Sequence, residues 1–359
     1  MLAIVTPASY ARGQERYPVL YLTDAEVQLG HARATVEFLA RNGLMPEMVL
    51  VGILNTSRTR DLTPTRGTDQ EHVAFPTAGG GEHFLDFIEQ ELIPAVDARY
   101  RTLPSRLYAG HSFGGLLGVH ALLSRPGLFR AVVAVSPSLV WDGTLMASEA
   151  RALKAVGPPA PRALFVTVGG KEAPAAVLED YEDFARAMRE VPWPGFDFSW
   201  RVIPDEDHGS VVLSGFYAGL RHIFASWRLS FEERAGAAPS LASVEAHYRE
   251  LSERWGYDVR PPEGVINVGG YMALQRGAER EAVELFRFNV AAHPESPNAY
   301  DSLGQALERN AQPSAARASY RKAVELAEKN GDPLLPTLRA HLEQLDKRTL
   351  PSASSAPPW

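Results

Sequence analysis

Short apolar runs recur along the first two-thirds of the chain, at Tyr17–Leu22, Met48–Leu54, Phe129–Ser136 and Ala163–Val168, and Phe198–Ile203 reads as the last strand. A run without polar alternation marks a strand buried on both faces. Met1–Val5 and Arg106–Ala109 read as further strands. Between them, apolar residues recur at helical spacing over Ala32–Arg41, Glu82–Tyr100, Leu116–Leu123, 176–190 and Val211–Trp227. Strands alternating with helices predict a mostly parallel sheet covered on both faces. Ligand sites in such sheets lie beyond the carboxyl ends of the strands.

The pattern changes after residue 230. Residues 231–240 turn to Ala, Gly, Pro and Ser, which reads as a linker. Beyond it small and aromatic positions repeat: Gly270 and Gly304, Ala282 and Ala316, and Phe286 and Tyr320 each lie 34 apart. This resembles the tetratricopeptide pattern, with flanking helices at Leu241–Trp255 and Pro336–Lys347. The expected organisation is a domain over 1–230, the linker, a small all-α helical-repeat domain over 241–350 and a disordered tail over 351–359. So few repeats are rarely stable alone. They are expected to pack on the first domain or on a second copy as a homodimer contact, or to bind a protein partner.

Composition narrows the functional classes. Of 359 residues, 45% are hydrophobic and 22% charged, as in a soluble globular protein. The net charge of −7 offers nothing to nucleic acid or to an anionic membrane surface. No apolar run approaches the roughly 18 residues of a membrane span. The N-terminus lacks the flank and length of a signal peptide, so the expectation is cytoplasmic. With no cysteine there is no disulfide, thiolate metal site or thiol nucleophile. Neither a His-Glu-x-x-His nor a Gly-x-Gly-x-x-Gly occurs, so no metal and no cofactor are expected. Ala78-Gly79-Gly80-Gly81 lacks the Lys-Ser/Thr of a phosphate loop and reads as a flexible hinge.

The chemistry centres on Gly110-His111-Ser112-Phe113-Gly114, between a strand and an apolar helix. That context suits a nucleophile elbow, in which the serine occupies a strained turn and small residues two places away let the chain pass. The N–H of Phe113 then points where an oxyanion would form. Thr23-Asp24-Ala25, after an earlier strand, is the candidate for the second donor; alternatively Asp24 caps a helix.

A serine needs a base, and in this fold the chain order is serine, acid, histidine. His208, in Pro204–Ser210 after the last strand, is the base that order selects; His120 and His222 fall on helices. Glu172 follows the preceding strand and is the first choice for the acid. Glu179 and Asp180 are reserves, Asp142 is less usual, and Asp205 and Asp207 stand too close to His208. Arg60, Asn55, His111 and Trp141 are the candidate substrate contacts. Arg60 serves equally as a partner of Asp61, and Trp141 as a satellite of the core.

Tyr17–Leu22 with Asp24, Asn55–Pro64, Gly110–Gly115 and Ser136–Ser138 with Trp141 together resemble one family of α/β-hydrolases. It contains esterase D and the enterobactin and ferric-siderophore esterases. The resemblance covers residues 2–230. It implies an α/β-hydrolase fold and a serine esterase acting on a small-molecule ester. It also implies Ser112 as nucleophile, His208 as base, Glu172 as acid, and oxyanion donors at Phe113 and near Asp24. The family has Asp-Gly where this chain has Asp24-Ala25. The same three residues would serve an acyltransferase or peptidase, and a scaffold acting through its repeats is the reading from another class.

Overall fold

The computed structural model describes residues 1–153, 160–172, 174–231 and 238–349. Part of the expected linker and the expected tail fall outside them. The chain divides into two units, Met1–Arg228 with Ser252–Tyr257, and Leu229–Leu251 with Asp258 onward.

The first unit is built on seven strands: β1 (Leu2–Val5), β2 (Tyr17–Leu22), β3 (Val49–Ile53), β4 (Thr102–His111), β5 (Ala131–Val135), β6 (Ala163–Gly169) and β7 (Asp197–Ile203). Their order in the sheet is β1-β3-β2-β4-β5-β6-β7. Only β1 runs antiparallel, against β3. Residues of β2, β3, β5 and β6 are buried throughout, as their unbroken apolar runs require. This is the mixed sheet of an α/β-hydrolase fold. Pairing of Leu22 with Ala109, His111 with Val135, Val135 with Thr167 and Gly169 with Ile203 brings the carboxyl ends of five strands level. The turns that follow them, carrying Asp24, Ser112, Ser136, Glu172 and His208, therefore share one edge.

The helices of this unit are α1 (Ala25–Arg41), α2 (Arg58–Leu62), α3 (Asp69–Ala74), α4 (Gly81–Phe87), α5 (Ile93–Arg99), α6 (Phe113–Ser124), α7 (Trp141–Ala152), α8 (Ala175–Arg189) and α9 (Val211–Ile223). From Gly114 to Leu123 every residue of α6 is buried, so the helix after the elbow is a core element.

Several expectations are corrected. The loop at 55–64 contains α2. Gly79–Gly81 is no free hinge: Gly80 and Gly81 donate to the carbonyls of Arg60 and Thr63, both at 2.9 Å. The single helix expected over 82–100 is divided by a π turn at Ile88–Leu92. Pro94 stands two residues beyond it, and its ring would clash with the carbonyl of Gln90 in a regular helix. The last helix of the unit ends at Ile223, short of Trp227.

The C-terminal helices are α10 (Leu241–Trp255), α11 (Glu263–Gln275), α12 (Glu279–Ala292), α13 (Pro297–Arg309), α14 (Pro313–Asn330) and α15 (Leu335–Thr349). The sequence periodicity has a packing basis. A Cβ on Gly270 would stand 2.4 Å from the ring of Phe286, and one on Gly304 would stand 2.5 Å from the ring of Tyr320. In each helix pair the bare backbone of the first helix receives the aromatic side chain of the second. Among the described residues no helix is long and apolar enough to cross a membrane.

Candidate active site

Ser112 joins β4 directly to α6 with φ 59° and ψ −120°, a conformation that non-glycine residues rarely adopt. Its N–H donates to the carbonyl of Val135 at 3.0 Å, which locks the turn to the neighbouring strand. The sharp turn forces close approach: a Cβ on Gly110 would lie 2.4 Å from the backbone of Gly114, and one on Gly114 would lie 2.5 Å from Thr23 Oγ1. The Tyr108 hydroxyl donates to the carbonyl of Gly114 at 2.8 Å and lies 3.1 Å from Thr23 Oγ1. The Thr23-Asp24 turn and the first turn of α6 are thereby held together. The first N–H groups of a helix have no intrahelical partner and carry its positive end. At this junction those groups belong to Phe113 in α6 and to Ala25 in α1.

Glu172, in the turn after β6, receives three hydrogen bonds. Ser136 Oγ and the Gly169 N–H (2.8 Å) donate to Oε1, and the His208 ring donates from Nδ1 to Oε2. A carboxylate only accepts, so Nδ1 carries a hydrogen and Nε2 is the ring atom left to take up a proton. His208 is half exposed while the Glu172 carboxylate is nearly covered. The carboxylate is held from behind and the imidazole is free to meet solvent. Asp207 shapes the histidine loop, accepting from the N–H groups of Gly209 (2.9 Å) and Ser210 (2.8 Å). These bonds lower its pKa.

His111 precedes the serine. Its Nε2 lies 2.8 Å from the main-chain carbonyl of His208, and the two rings are 4.5 Å apart. Burial, then the neighbouring His208, lowers its pKa from 6.5 to about 4. Between those values the unfolded chain binds a proton at this residue and the folded chain does not. The stability from neutral His111 is therefore complete above the unfolded value of 6.5 and is lost as pH falls towards about 4. Urea midpoints measured from pH 7 to pH 4 should drop more steeply for the native protein than for His111→Phe.

Asp24 is buried and takes a left-handed conformation, φ 54°. Its side chain makes no capping bond to α1. Instead Oδ1 accepts from Asn55 Nδ2 (2.6 Å) and Arg58 Nε (2.7 Å), and Oδ2 accepts from Arg58 Nη2 (3.1 Å). The same Nη2 donates to the carbonyl of His111 at 3.3 Å. Arg58 thus links the turn after β2 to the elbow. Asn55 also donates to Glu26 at 2.7 Å, so its amide is engaged by two carboxylates.

Arg60 binds Asp61 through Nε at 2.7 Å and lines a separate cavity of about 550 Å³ with Leu2, Phe84 and Phe87. Trp141 is buried, with its indole N–H on Thr65 Oγ1 at 3.1 Å and its ring 5.2 Å from that of Phe113. Arg58 was not singled out from sequence, because the 55–66 stretch offers three arginines and no periodicity to separate them.

The family model described as "Putative esterase" matches residues 1–193, more than half of the chain. The chain belongs to this esterase family. The match includes Ser112 and Glu172 and ends before His208. The chain is 34% identical over 150 residues to the siderophore triacetylfusarinine C esterase of Aspergillus fumigatus, covering 39% of this chain and 50% of that protein. It is 34% identical over 146 residues to the ferri-bacillibactin esterase BesA of Bacillus subtilis, covering 35% and 49%. The alignments thus span about half the length of these curated relatives. Among solved structures, an IroE-like serine hydrolase from Shewanella oneidensis matches with TM-score 0.66 and 29% identity, over 80% of this chain and 93% of its own. An uncharacterised protein from Capnocytophaga ochracea matches with TM-score 0.72 over 96% of this chain and 95% of its own. At 16% identity that likeness concerns the fold alone.

Proposed function

We propose that this esterase-family protein hydrolyses carboxylic esters through a Ser112–His208–Glu172 triad. The observation that carries the reading is the Glu172–His208 hydrogen bond on the same sheet edge as a serine in elbow conformation. Ser112 Oγ attacks the ester carbonyl while His208 Nε2 takes its proton. The developing oxyanion is met by the N–H of Phe113 and one from the Asp24-Ala25 turn. His208 then returns the proton to the leaving alcohol, and an acyl-Ser112 intermediate remains. Water, deprotonated by the same imidazole, releases the acid. Glu172 keeps the imidazole in its Nδ1–H form and stabilises the imidazolium.

The names of the two curated relatives make siderophore esters the first substrate class to assay. The 34-residue periodicity and its glycine–aromatic packing support reading α11–α14 as a tetratricopeptide-like module. Incubation with a fluorophosphonate probe, followed by peptide mass spectrometry, tests the chemistry. Labelling at Ser112 that disappears in His208→Ala is the expected result. A folded native protein left unlabelled would sink the proposal.

A further inference from the structure

We infer that His111 is a positioning residue: it grips the main chain of the base, tying the histidine loop to the nucleophile elbow and fixing His208 against Ser112. The inference rests on the Ser112–His208 chemistry proposed above, and it replaces a substrate contact as the role of this side chain.

The argument begins with what each end of the bond is attached to. His111 is the last residue of β4 and pairs with Val135 of β5, so its backbone belongs to the sheet. Its carbonyl is further held by Arg58. His208 stands on a loop in which residues 207–210 are all exposed. The Asp207 bonds to Gly209 and Ser210 shape that loop internally, and the Lys171 N–H on the Glu206 carbonyl (2.9 Å) attaches its base to the turn after β6. The His111 Nε2–H on the His208 carbonyl reaches from the elbow itself.

Two restraints on one residue do different work. Glu172 fixes a single ring atom of His208, and a ring held at one atom can still pivot. Holding the main-chain carbonyl fixes where the side chain starts. Together they define where Nε2 points, and a catalytic geometry needs tolerances of roughly half an ångström. The donor is also chemically specified. A carbonyl only accepts, so Nε2 of His111 must carry hydrogen. The charged or titratable groups facing this ring are His208, Arg58 and Asp24. A neutral His111 ring, tilted 43° to that of His208 at 4.5 Å, adds no like-charge repulsion when the base takes the serine proton.

The test compares native protein, His111→Phe and His111→Gln. Phe keeps an aromatic ring and removes the donor; the Gln amide restores an N–H near the Nε2 position. Steady-state kinetics on a 4-nitrophenyl ester should give His111→Phe a kcat lower by about 100-fold with KM changed less than about two-fold, because misplacement acts on the chemical step. Amide hydrogen exchange at residues 205–210 should quicken in the same variant, and His111→Gln should recover most of both. If His111→Phe does not fold, His111→Asn, whose amide stops short of the carbonyl, gives the same comparison. A raised KM with kcat unchanged would assign His111 to substrate instead. Unchanged exchange at 205–210 would overturn the tie. The parent reading fails separately: a native Ser112 inert to the fluorophosphonate probe removes the chemistry, while exchange still decides whether His111 holds the loop.

Discussion

Ser112→Ala should lower ester turnover by about 10⁴–10⁶-fold, with KM and thermal midpoint close to native. The replaced hydroxyl is the only atom lost, and alanine tolerates the positive φ no worse than serine. His208→Ala should match that loss, since a nucleophile without its base and a base without its nucleophile disable the same step. The two changes combined should add little further loss, because residues acting as one unit are not additive. Glu172→Gln is the more informative variant. Its amide can still accept from Nδ1–H through one atom, yet the other end would confront the donors Ser136 and Gly169 with an NH2 group or present that group to His208. Turnover lower by about 10²–10⁴-fold is expected. Stopped assays on purified variants give the answer, and a Ser112→Ala protein keeping a tenth of native activity would refute the mechanism.

Arg58→Met should destabilise the first unit by about 2–3 kcal/mol, because it leaves the buried Asp24 carboxylate without its cation. Breaking a fully buried pair costs more, but the Arg58 side chain is 36% exposed and water screens it. Asp24→Asn in the same protein should recover part of the loss, since the uncompensated charge is then gone. Arg58→Lys should not restore the native value: Nε and Nη2 engage both oxygens of Asp24, and an ammonium cannot reproduce that fork. Urea unfolding of the four proteins measures these terms. A native midpoint for Arg58→Met would show that Asp24 is stabilised by other groups.

The residues differ in how far the sequence alone revealed them, and the reasons are physical. The elbow was readable because its turn excludes side chains at Gly110 and Gly114, and that exclusion is written as residue type. Glu172 and His208 were readable as candidates because each lies in the turn or loop after an expected strand, and the sheet register brings the ends of those strands level. Arg58 was hidden, since a polar loop carries no period from which to infer which arginine turns inward. The helix α7 was hidden for another reason. Asp142, Gly143 and Thr144 at its start are left-handed, held by Thr65 on the Asp142 carboxylate (2.7 Å) and by Glu71 on the Asp142 N–H (3.2 Å). No local propensity predicts such a start. By contrast α3 was legible and overlooked: Thr68-Asp69-Gln70-Glu71 is a capping box, and both of its reciprocal bonds form.

The level strand ends have a consequence for how this protein can change. Ser112, Ser136, Glu172 and His208 follow four successive parallel strands, so each group of the proposed site arrives on its own segment of chain. The wiring among them runs along the sheet edge, whereas the walls around it are supplied by the intervening connections. Exchanging one connection remodels the chamber without rewiring the groups that act in it. The segment between β3 and β4 is the exception: Asn55 and Arg58 within it hold Asp24, so sequence grafted there must keep both.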